Sequence, residues 1–269
     1  MIKEAIHKLV LGENLSTEET EKVMSEIMGG EATNAQISAF LTALRIKGET
    51  VDEITACARV MRDMAVRLKT NGDVLEIVGT GGDEVGTFNI STTSAFVIAA
   101  GGVTVAKHGN RSVSSKSGAA DVLEKLGVKI SSSPEQAKEM IDSIGISFLF
   151  AQSYHGSMRF VAPARRETGI RTVFNILGPL ANPANTDYIL LGVYEKELLK
   201  PMAEVLINLG IKRAMLVYGN DKLDEISISD NTSVCEIKDG QMSFYEINPE
   251  DYGFKKVSKE DVVGGTAEE

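Results

Sequence analysis

A glycine-rich segment, residues 78–96, has the composition of a loop that binds phosphate. It reads VGTGGDEVGTFNISTTSAF and contains Gly79, Gly81, Gly82 and Gly86. Glycine lets a backbone approach an anion closely and present its N–H groups to it. The residues that follow predict the start of a helix, where unpaired N–H groups and the helix dipole also attract phosphate. The plain alternative is a strand-to-helix turn, because the segment matches neither a Walker loop nor GxGxxG.

A second segment, residues 107–121, concentrates positive charge in a chain that is acidic overall. It reads KHGNRSVSSKSGAAD and carries Lys107, Arg111 and Lys116. The formal net charge is −10, and 38 of the 269 residues are Asp or Glu, yet residues 85–120 contain neither. Lys107 and the backbone that follows it would neutralise phosphates, and the serines at 112–115 would donate hydrogen bonds to them. His108 is either a base or, as is commoner for a lone histidine, a structural group.

Arginine dominates residues 155–173, where Arg159, Arg165, Arg166 and Arg171 accompany a single acid, Glu167. Arginine clamps planar carboxylates through two parallel hydrogen bonds. The pattern therefore predicts a site for a carboxylate-bearing ligand. Some of these arginines would instead form surface or interdomain pairs.

Two adjacent acids, Asp224 and Glu225, follow a predicted strand in the segment GNDKLDEIS. Mg²⁺ takes one or two carboxylates from a protein and fills its remaining positions with water and substrate phosphate. The pair is thus a candidate magnesium site beside the predicted phosphate loops. The alternative is a solvated acidic turn.

The elements that must position these segments change character near residue 70. Residues 1–70 predict helices only, with capping boxes at Ser16, Thr33 and Thr50. From residue 74 onward, strands predicted at 74–78, 103–106, 128–130, 146–150, 189–193 and 214–218 alternate with helices, and 151–187 is irregular. Such alternation indicates parallel βαβ units, whose ligands sit at the carboxyl ends of the strands.

The predicted fold class is therefore α/β, with a small helical N-terminal domain and a larger α/β domain whose mostly parallel central sheet is flanked by helices. We place the helical domain at residues 1–70, with part of 160–185 packing on it, and the α/β domain at residues 71–269. The last residues, Thr266–Glu269, read as a capping box without a helix. We therefore expect the chain to be truncated before a C-terminal helical segment.

Composition excludes several classes of partner. The negative net charge argues against nucleic acid as the main partner. The apolar runs are short and broken by glycine, which argues against a membrane protein, and the N-terminus lacks the apolar core of a signal peptide. Two cysteines far apart in sequence, Cys57 and Cys235, fit a reducing cytoplasm.

Together the motifs resemble the anthranilate phosphoribosyltransferase family. They are GTGGD, NxSTxS, KHGNRxxSSxxGxAD, RRxxGIRTxFNxLGPLxNP and LDE, in this order along essentially the whole chain. The resemblance implies a homodimer, formed through the helical domain, that acts in tryptophan biosynthesis. It implies transfer of phosphoribose from phosphoribosyl pyrophosphate to the amine of anthranilate, with release of pyrophosphate.

The resemblance also implies which residues bind substrate. Lys107, His108, Asn110 and Arg165 would carry the catalytic roles, with His155 nearby, and Arg165 would contact anthranilate together with Gly79 and Asn110. The residues implied to contact phosphoribosyl pyrophosphate are Gly79, Gly82, Asp83, Thr87, Asn89, Ile90, Ser91, Thr92, Lys107, His108, Gly109, Asn110, Arg111, Ser112, Val113, Ser114, Ser115 and Ala119.

Two Mg²⁺ ions are implied as well. Ser91 and Glu225 would hold one ion, and Asp224 and Glu225 the other. The chain departs from the family at His155-Gly156-Ser157-Met158, where the family has His-Pro-Ala-Met. This difference falls beside the predicted entry for anthranilate.

Two rival functions remain open at this level. A pyrimidine nucleoside phosphorylase shares the architecture and runs a similar displacement with phosphate, although the acidic pair and the arginine-rich segment favour the transferase. The other rival is a catalytically silent paralogue that binds nucleic acid, against which the net charge of −10 speaks.

Overall fold

The computed structural model describes residues 1–82, 85–112 and 116–269. The predicted contacts Asp83, Val113, Ser114 and Ser115 lie outside the described residues.

Four helices form the N-terminal domain, and the predicted capping boxes begin three of them. In each box the Ser or Thr oxygen accepts from the backbone N–H three residues later, and the Glu or Gln there accepts from the cap N–H in return, which satisfies two otherwise unpaired donors. The helices are α1 (Ile2–Val10), α2 (Thr17–Gly29), α3 (Asn34–Lys47) and α4 (Val51–Asp63).

The described part of the larger domain is built on one seven-stranded sheet. Its order is β3-β2-β1-β4-β5-β6-β7. The first five strands in this order are parallel to one another, and β6 runs antiparallel to both of its neighbours, β5 and β7. The strands are β1 (Leu75–Gly79), β2 (Val105–Gly109), β3 (Ile146–Phe150), β4 (Tyr188–Gly192), β5 (Arg213–Gly219), β6 (Thr232–Lys238) and β7 (Gln241–Ile247). The expected architecture, a helical N-terminal domain followed by a mostly parallel α/β domain, is confirmed.

The remaining helices connect the strands or cover the sheet. They are α5 (Ile90–Ala100), α6 (Ala119–Lys125), α7 (Pro134–Ile144), α8 (Ala151–Tyr154), α9 (Ala162–Thr168), α10 (Phe174–Leu177) and α11 (Leu199–Asn208). The segment expected to be irregular, 151–187, contains three of these short helices. Val161, Ala164 and Phe174 from it share one hydrophobic core with α1 to α4 and with β4 and β5. The domain bounds 1–70 and 71–269 stay predictions.

One local prediction was wrong, and one hairpin was not predicted. Residues 128–130 form no strand, because Ile130 instead packs with Ala120, Leu123 and Phe150 beside β3. The β6–β7 hairpin is not among the predicted strands; β7 lies at the sheet edge, and its mostly exposed residues lack the buried pattern of a central strand. Within the described residues, no helix combines the length and apolar character needed to cross a membrane.

Candidate active site

Four of the five parallel strands described end at glycine. The carboxyl ends of the parallel strands lie side by side along one end of the sheet, which we call the switch-point edge. Gly79 of β1 and Gly192 of β4 are register partners where the strand order changes direction. Such a switch point is where open α/β sheets bind ligands. Asp224 lies against both glycines: a Cβ on Gly79 would overlap with its carboxylate, and a Cβ on Gly192 with its carbonyl oxygen. The two glycines therefore make room for this acid.

The acidic pair connects the glycine loop, residues 79–82, to the start of α5. The N–H of Gly81 donates to Asp224 Oδ2 at 2.7 Å, and the N–H of Ser91 donates to Glu225 Oε1 at 3.2 Å. Asp224 is buried and Glu225 half-buried. The structure thus brings together Gly79, Ser91, Asp224 and Glu225, which the sequence placed at three separate positions.

Lys107 enters the same cluster from β2. Its Nζ donates to the Ile77 carbonyl oxygen at 2.7 Å and to Ser91 Oγ at 3.3 Å. Burial lowers the pKa of the Lys107 ammonium, and the carboxylates of Glu76, Glu225 and Asp224 oppose that shift. A buried cation therefore faces the acidic pair across the start of α5.

The glycine loop is fixed from the other side by residues outside the predicted site. The Gly82 carbonyl oxygen accepts from Arg171 Nη2 at 2.6 Å, and the Arg171 guanidinium lies 4.5 Å over the Tyr194 ring. Thr80 Oγ1 accepts from the Tyr194 N–H at 3.1 Å. The sequence distinguishes Arg171 from the other three arginines of its segment only by its place in the loop after Gly169, the residue that ends α9.

The loop after β2 directs its arginine away from the acidic pair. Arg111 bonds to Asp121 at 3.0 Å and to Glu124 at 2.9 Å, both on α6. The Ser112 N–H also donates to Asp121. The acids that end the acid-free segment therefore neutralise one of its cations.

A pair of histidines lies on the opposite face of β2 from Lys107. The rings of His108 and His155 are 5.1 Å apart and both are buried. Burial lowers the pKa of His108 to about 3 and that of His155 to about 4, so both are neutral at pH 7. Arg165, on α9, lies 5.5 Å over the Phe174 ring and is half-buried, which lowers the pKa of its guanidinium.

The other predicted contacts surround the two loops. Thr87 forms an isolated bridge with Val263, and Asn89 begins α5 and donates to the Ser117 carbonyl oxygen. Ile90 and Thr92 lie in the first turn of α5. Gly109 ends β2 and Ala119 begins α6, and Asn110 joins them by accepting from the Ala120 N–H.

The donor set suits magnesium. Asp224, Glu225 and the Ser91 hydroxyl are hard oxygen ligands, and Mg²⁺ needs only one or two carboxylates beside substrate phosphates. The described residues contain no cluster of three or more His, Cys, Asp or Glu that would form a closed protein cage. The pair therefore fits an ion that shares its coordination with a bound phosphate.

Known proteins resemble this chain throughout. Residues 3–65 match the helical bundle domain of the glycosyl transferase family, and residues 71–269 match its a/b domain. Anthranilate phosphoribosyltransferase of Lachnoclostridium phytofermentans is 61% identical over 100% of this chain and 80% of the relative. The crystal structure of the Thermus thermophilus enzyme superimposes with a TM-score of 0.93 at 46% identity, covering 98% of this chain and 79% of that one.

A more distant structure adds ligands. Anthranilate phosphoribosyltransferase from Saccharomyces cerevisiae, in complex with PRPP and Mg, has a TM-score of 0.89 at 27% identity and covers 99% of this chain and 77% of that one. With its helical bundle and its a/b domain, the chain belongs to the glycosyl transferase family. Within it, the chain is a member of the anthranilate phosphoribosyltransferase family.

Replacing Gly192 by alanine should displace Asp224. The new Cβ would overlap with the Asp224 carbonyl oxygen, so the 221–228 segment must shift. We expect the free energy of unfolding to fall by about 1–3 kcal/mol, the usual cost of overpacking, and the Gly81 N–H to exchange faster with solvent. Denaturant unfolding and amide hydrogen exchange measure both effects. Gly72→Ala is the control, since no atom lies near its Cβ; equal behaviour of the two variants would contradict the close contact.

His155→Gln should reduce the loss of stability in mild acid. The folded pKa of His155 is lower than its ordinary value of 6.5, so between pH 6.5 and about 4 the unfolded chain binds a proton that the folded chain does not. Stability is therefore highest above this window and falls as the pH is lowered through it. Between pH 7 and pH 5 the wild type should lose roughly 1–2 kcal/mol more than the variant. Urea unfolding at both pH values measures this, with exposed His7→Gln as control; identical losses in wild type and His155→Gln would refute it.

Proposed function

We propose that this chain transfers the phosphoribosyl group of phosphoribosyl pyrophosphate to the amine of anthranilate at the switch-point edge of its sheet. The observation that carries the proposal is the cluster of Lys107, Ser91, Asp224 and Glu225 beside the glycine loop. It combines a buried cation and a carboxylate pair beside a glycine loop, which are the groups that a diphosphate with a metal requires.

The phosphoribosyl pyrophosphate side comprises the glycine loop, the start of α5 and the loop after β2. The residues assigned to it are Gly79, Gly82, Asp83, Thr87, Asn89, Ile90, Ser91, Thr92, Lys107, His108, Gly109, Asn110, Arg111, Ser112, Val113, Ser114, Ser115 and Ala119. On the anthranilate side we assign Gly79, Asn110 and Arg165, with His108 and His155 near them. The half-buried guanidinium of Arg165 is suited to the anthranilate carboxylate.

In this reaction the bond from the anomeric carbon to pyrophosphate breaks, a bond to the anthranilate nitrogen forms, and the nitrogen loses a proton. The Lys107 ammonium stabilises the negative charge that develops on the leaving group. Anthranilate is an aromatic amine whose conjugate acid is weak, so positioning contributes more than a strong base. His108 and His155, which burial keeps neutral, offer no positive charge that would repel the oxocarbenium-like centre.

Magnesium is proposed as the cofactor, held by Ser91, Asp224 and Glu225. When bound, it neutralises pyrophosphate charge and orients the leaving group. Support comes from the oxygen donor set and from the yeast relative that was solved with PRPP and Mg. That two ions bind, and that the protein is located in the cytoplasm, stay predictions.

Replacing Asp224 by Asn together with Glu225 by Gln should abolish most turnover. Both amides keep an oxygen that can accept from Gly81 and Ser91, so the fold is retained while the two charges are lost. We expect turnover to fall on the order of a hundredfold or more, and the dependence on Mg²⁺ to shift to higher concentration. Loss of anthranilate fluorescence on adding phosphoribosyl pyrophosphate, with and without Mg²⁺, measures this.

The matched control is Glu250→Gln with Asp251→Asn, an exposed acidic pair after β7. It should leave turnover unchanged. Wild-type turnover in the Asp224/Glu225 variant would rule out the metal assignment. Absence of turnover in the wild type with Mg²⁺, but phosphorolysis of a pyrimidine nucleoside, would replace the proposed function with that of the rival phosphorylase.

We further propose that two copies associate through the helical domain. A groove of about 440 Å³ between α1 and α3 is lined mainly by apolar side chains, including Leu9, Val10 and Ile46. Val10 and Ile46 are 71% and 82% exposed, which is unusual for large apolar residues that lie together. A second copy of the chain would bury them in a symmetric contact.

Ile46→Glu should therefore convert a dimer into a monomer without destabilising the monomer, because the side chain is already exposed in a single chain. Sedimentation velocity measures the change in mass. Ile144→Glu, at an isoleucine that is 66% exposed at the end of α7, should leave the dimer intact. A wild-type monomer, or a dimer that tolerates Ile46→Glu, would argue against this surface.

A further inference from the structure

The hydrogen-bonded ladder between β1 and β2 stops early. Leu75 and Val105 are the one register pair between these strands, whereas β1 with β4 and β2 with β3 each have five, all within described residues. Continued in the same register, a parallel ladder would join the Ile77 N–H to the Ala106 carbonyl oxygen and the His108 N–H to the Ile77 carbonyl oxygen. The two strands separate instead, just before Lys107 and His108.

Side chains satisfy all four backbone groups that this separation leaves unpaired. The Glu76 carboxylate accepts from the Ile77 N–H at 3.0 Å and from the His108 N–H at 3.1 Å. The Ala106 carbonyl oxygen accepts from Asn182 Nδ2 at 2.7 Å. The Ile77 carbonyl oxygen accepts from Lys107 Nζ. Asn182 also donates to Glu76, which ties the two replacements together.

Burial makes this arrangement demanding. Glu76 is 0% exposed and Asn182 is 1% exposed, so neither has water as an alternative partner. Burial raises the pKa of Glu76, and Lys107 opposes the shift. The contacts fit the ionised form, because the Ile77 N–H, the His108 N–H and the Asn182 amide are all donors to it. An unpaired carboxylate here would be strongly unfavourable, so each contact depends on the others.

The separation also sorts two functional side chains. Successive side chains of a strand alternate between faces, so Lys107 and His108 point to opposite sides of the sheet. Lys107 faces Ser91 and the acidic pair, and His108 faces His155. The Glu76 carboxylate accepts from the N–H of His108 and so holds the backbone at the point where the side chains of Lys107 and His108 diverge.

We propose that Glu76 is a positioning residue of the transferase, which, with Asn182, keeps β2 apart from β1 and so fixes Lys107 toward the phosphates and His108 toward the acceptor. This role rests on the proposed function. Glu76 reaches the substrates through Lys107 and His108. It was absent from the residues predicted from sequence, because an acid within a buried parallel strand carries no local motif.

Glu76→Gln keeps the shape of the side chain but replaces one carboxylate oxygen by an NH₂ group. That group cannot accept from the Ile77 N–H, the His108 N–H or the Asn182 amide. The His108 N–H or the Asn182 amide then loses its acceptor, and β2 shifts. We expect kcat to fall about tenfold or more, as is typical when a residue that orients a functional group is replaced, with KM altered for both substrates. Glu76→Asp, which keeps the charge on a shorter side chain, should recover part of the loss. Exchange of the His108 N–H with solvent should accelerate at least tenfold in Glu76→Gln.

The control is Glu53→Gln. Glu53 is also 0% exposed and accepts from backbone N–H groups and Lys47, but it lies in the helical domain. A purely structural role for Glu76 predicts that both variants lose stability and keep wild-type kcat in the folded fraction. A positioning role predicts that only Glu76→Gln loses kcat. Wild-type kcat and KM in Glu76→Gln would overturn the proposal.

Two further outcomes are decided by other measurements. If Glu76→Gln does not fold, Asn182→Ala removes one donor and leaves the carboxylate on its backbone donors; a lowered kcat with faster His108 exchange supports the proposal, and wild-type kcat overturns it. If the wild type itself transfers no phosphoribose, the proposed function fails. The exchange rate of the His108 N–H in Glu76→Gln then still decides whether Glu76 holds β2, and an unchanged rate overturns that contact.

Discussion

The candidate active site depends on the contact between Asp224 and two glycines that have no side chain to obstruct it. Gly79 and Gly192 end neighbouring parallel strands, and Asp224 occupies the space that two Cβ atoms would fill. From there its carboxylate holds the Gly81 N–H, and Glu225 holds the start of α5. Asp224 thus contacts the glycine loop and the ends of both strands at the switch point, and it places Glu225, the next residue, beside α5. The glycine loop lacks the phosphate-binding lysine of a Walker loop, and it is held here by a carboxylate from far along the chain.

Charge is arranged by the same geometry. A chain with a formal net charge of −10 must bind an anionic substrate, and its acid-free segment suggested a patch of free cations. The fold uses those cations differently: Arg111 pairs with acids of α6, while Lys107 is buried opposite the acidic pair. Positive potential at the site therefore rests on the buried Lys107 and on the magnesium proposed above, since surface cations paired with acids attract a ligand only weakly.

The parts of the fold that sequence predicted are the ones set by local signals. The capping boxes at Ser16, Thr33 and Thr50 each begin a helix, and four of the five parallel strands described end at glycine. The parts that were missed depend on partners far along the chain. Arg171 reaches Gly82 across 89 positions, and Ile130 was assigned to a strand although a hydrophobic cluster holds it. Composition indicates which residues are polar, whereas only the fold decides which of them meet.

The early end of the β1–β2 ladder connects these observations. If β1 and β2 stayed paired to their carboxyl ends, backbone bonds would join Ile77 to Ala106 and to His108. Separating the two strands leaves four backbone groups unpaired in a buried region, and burial requires that each find a partner. The chain supplies Glu76, Asn182 and Lys107 itself. Lys107 thereby bonds to a backbone group of the sheet and to Ser91 of the candidate site with the same ammonium group. A change that disturbs the separation of β1 and β2 should therefore also disturb the site.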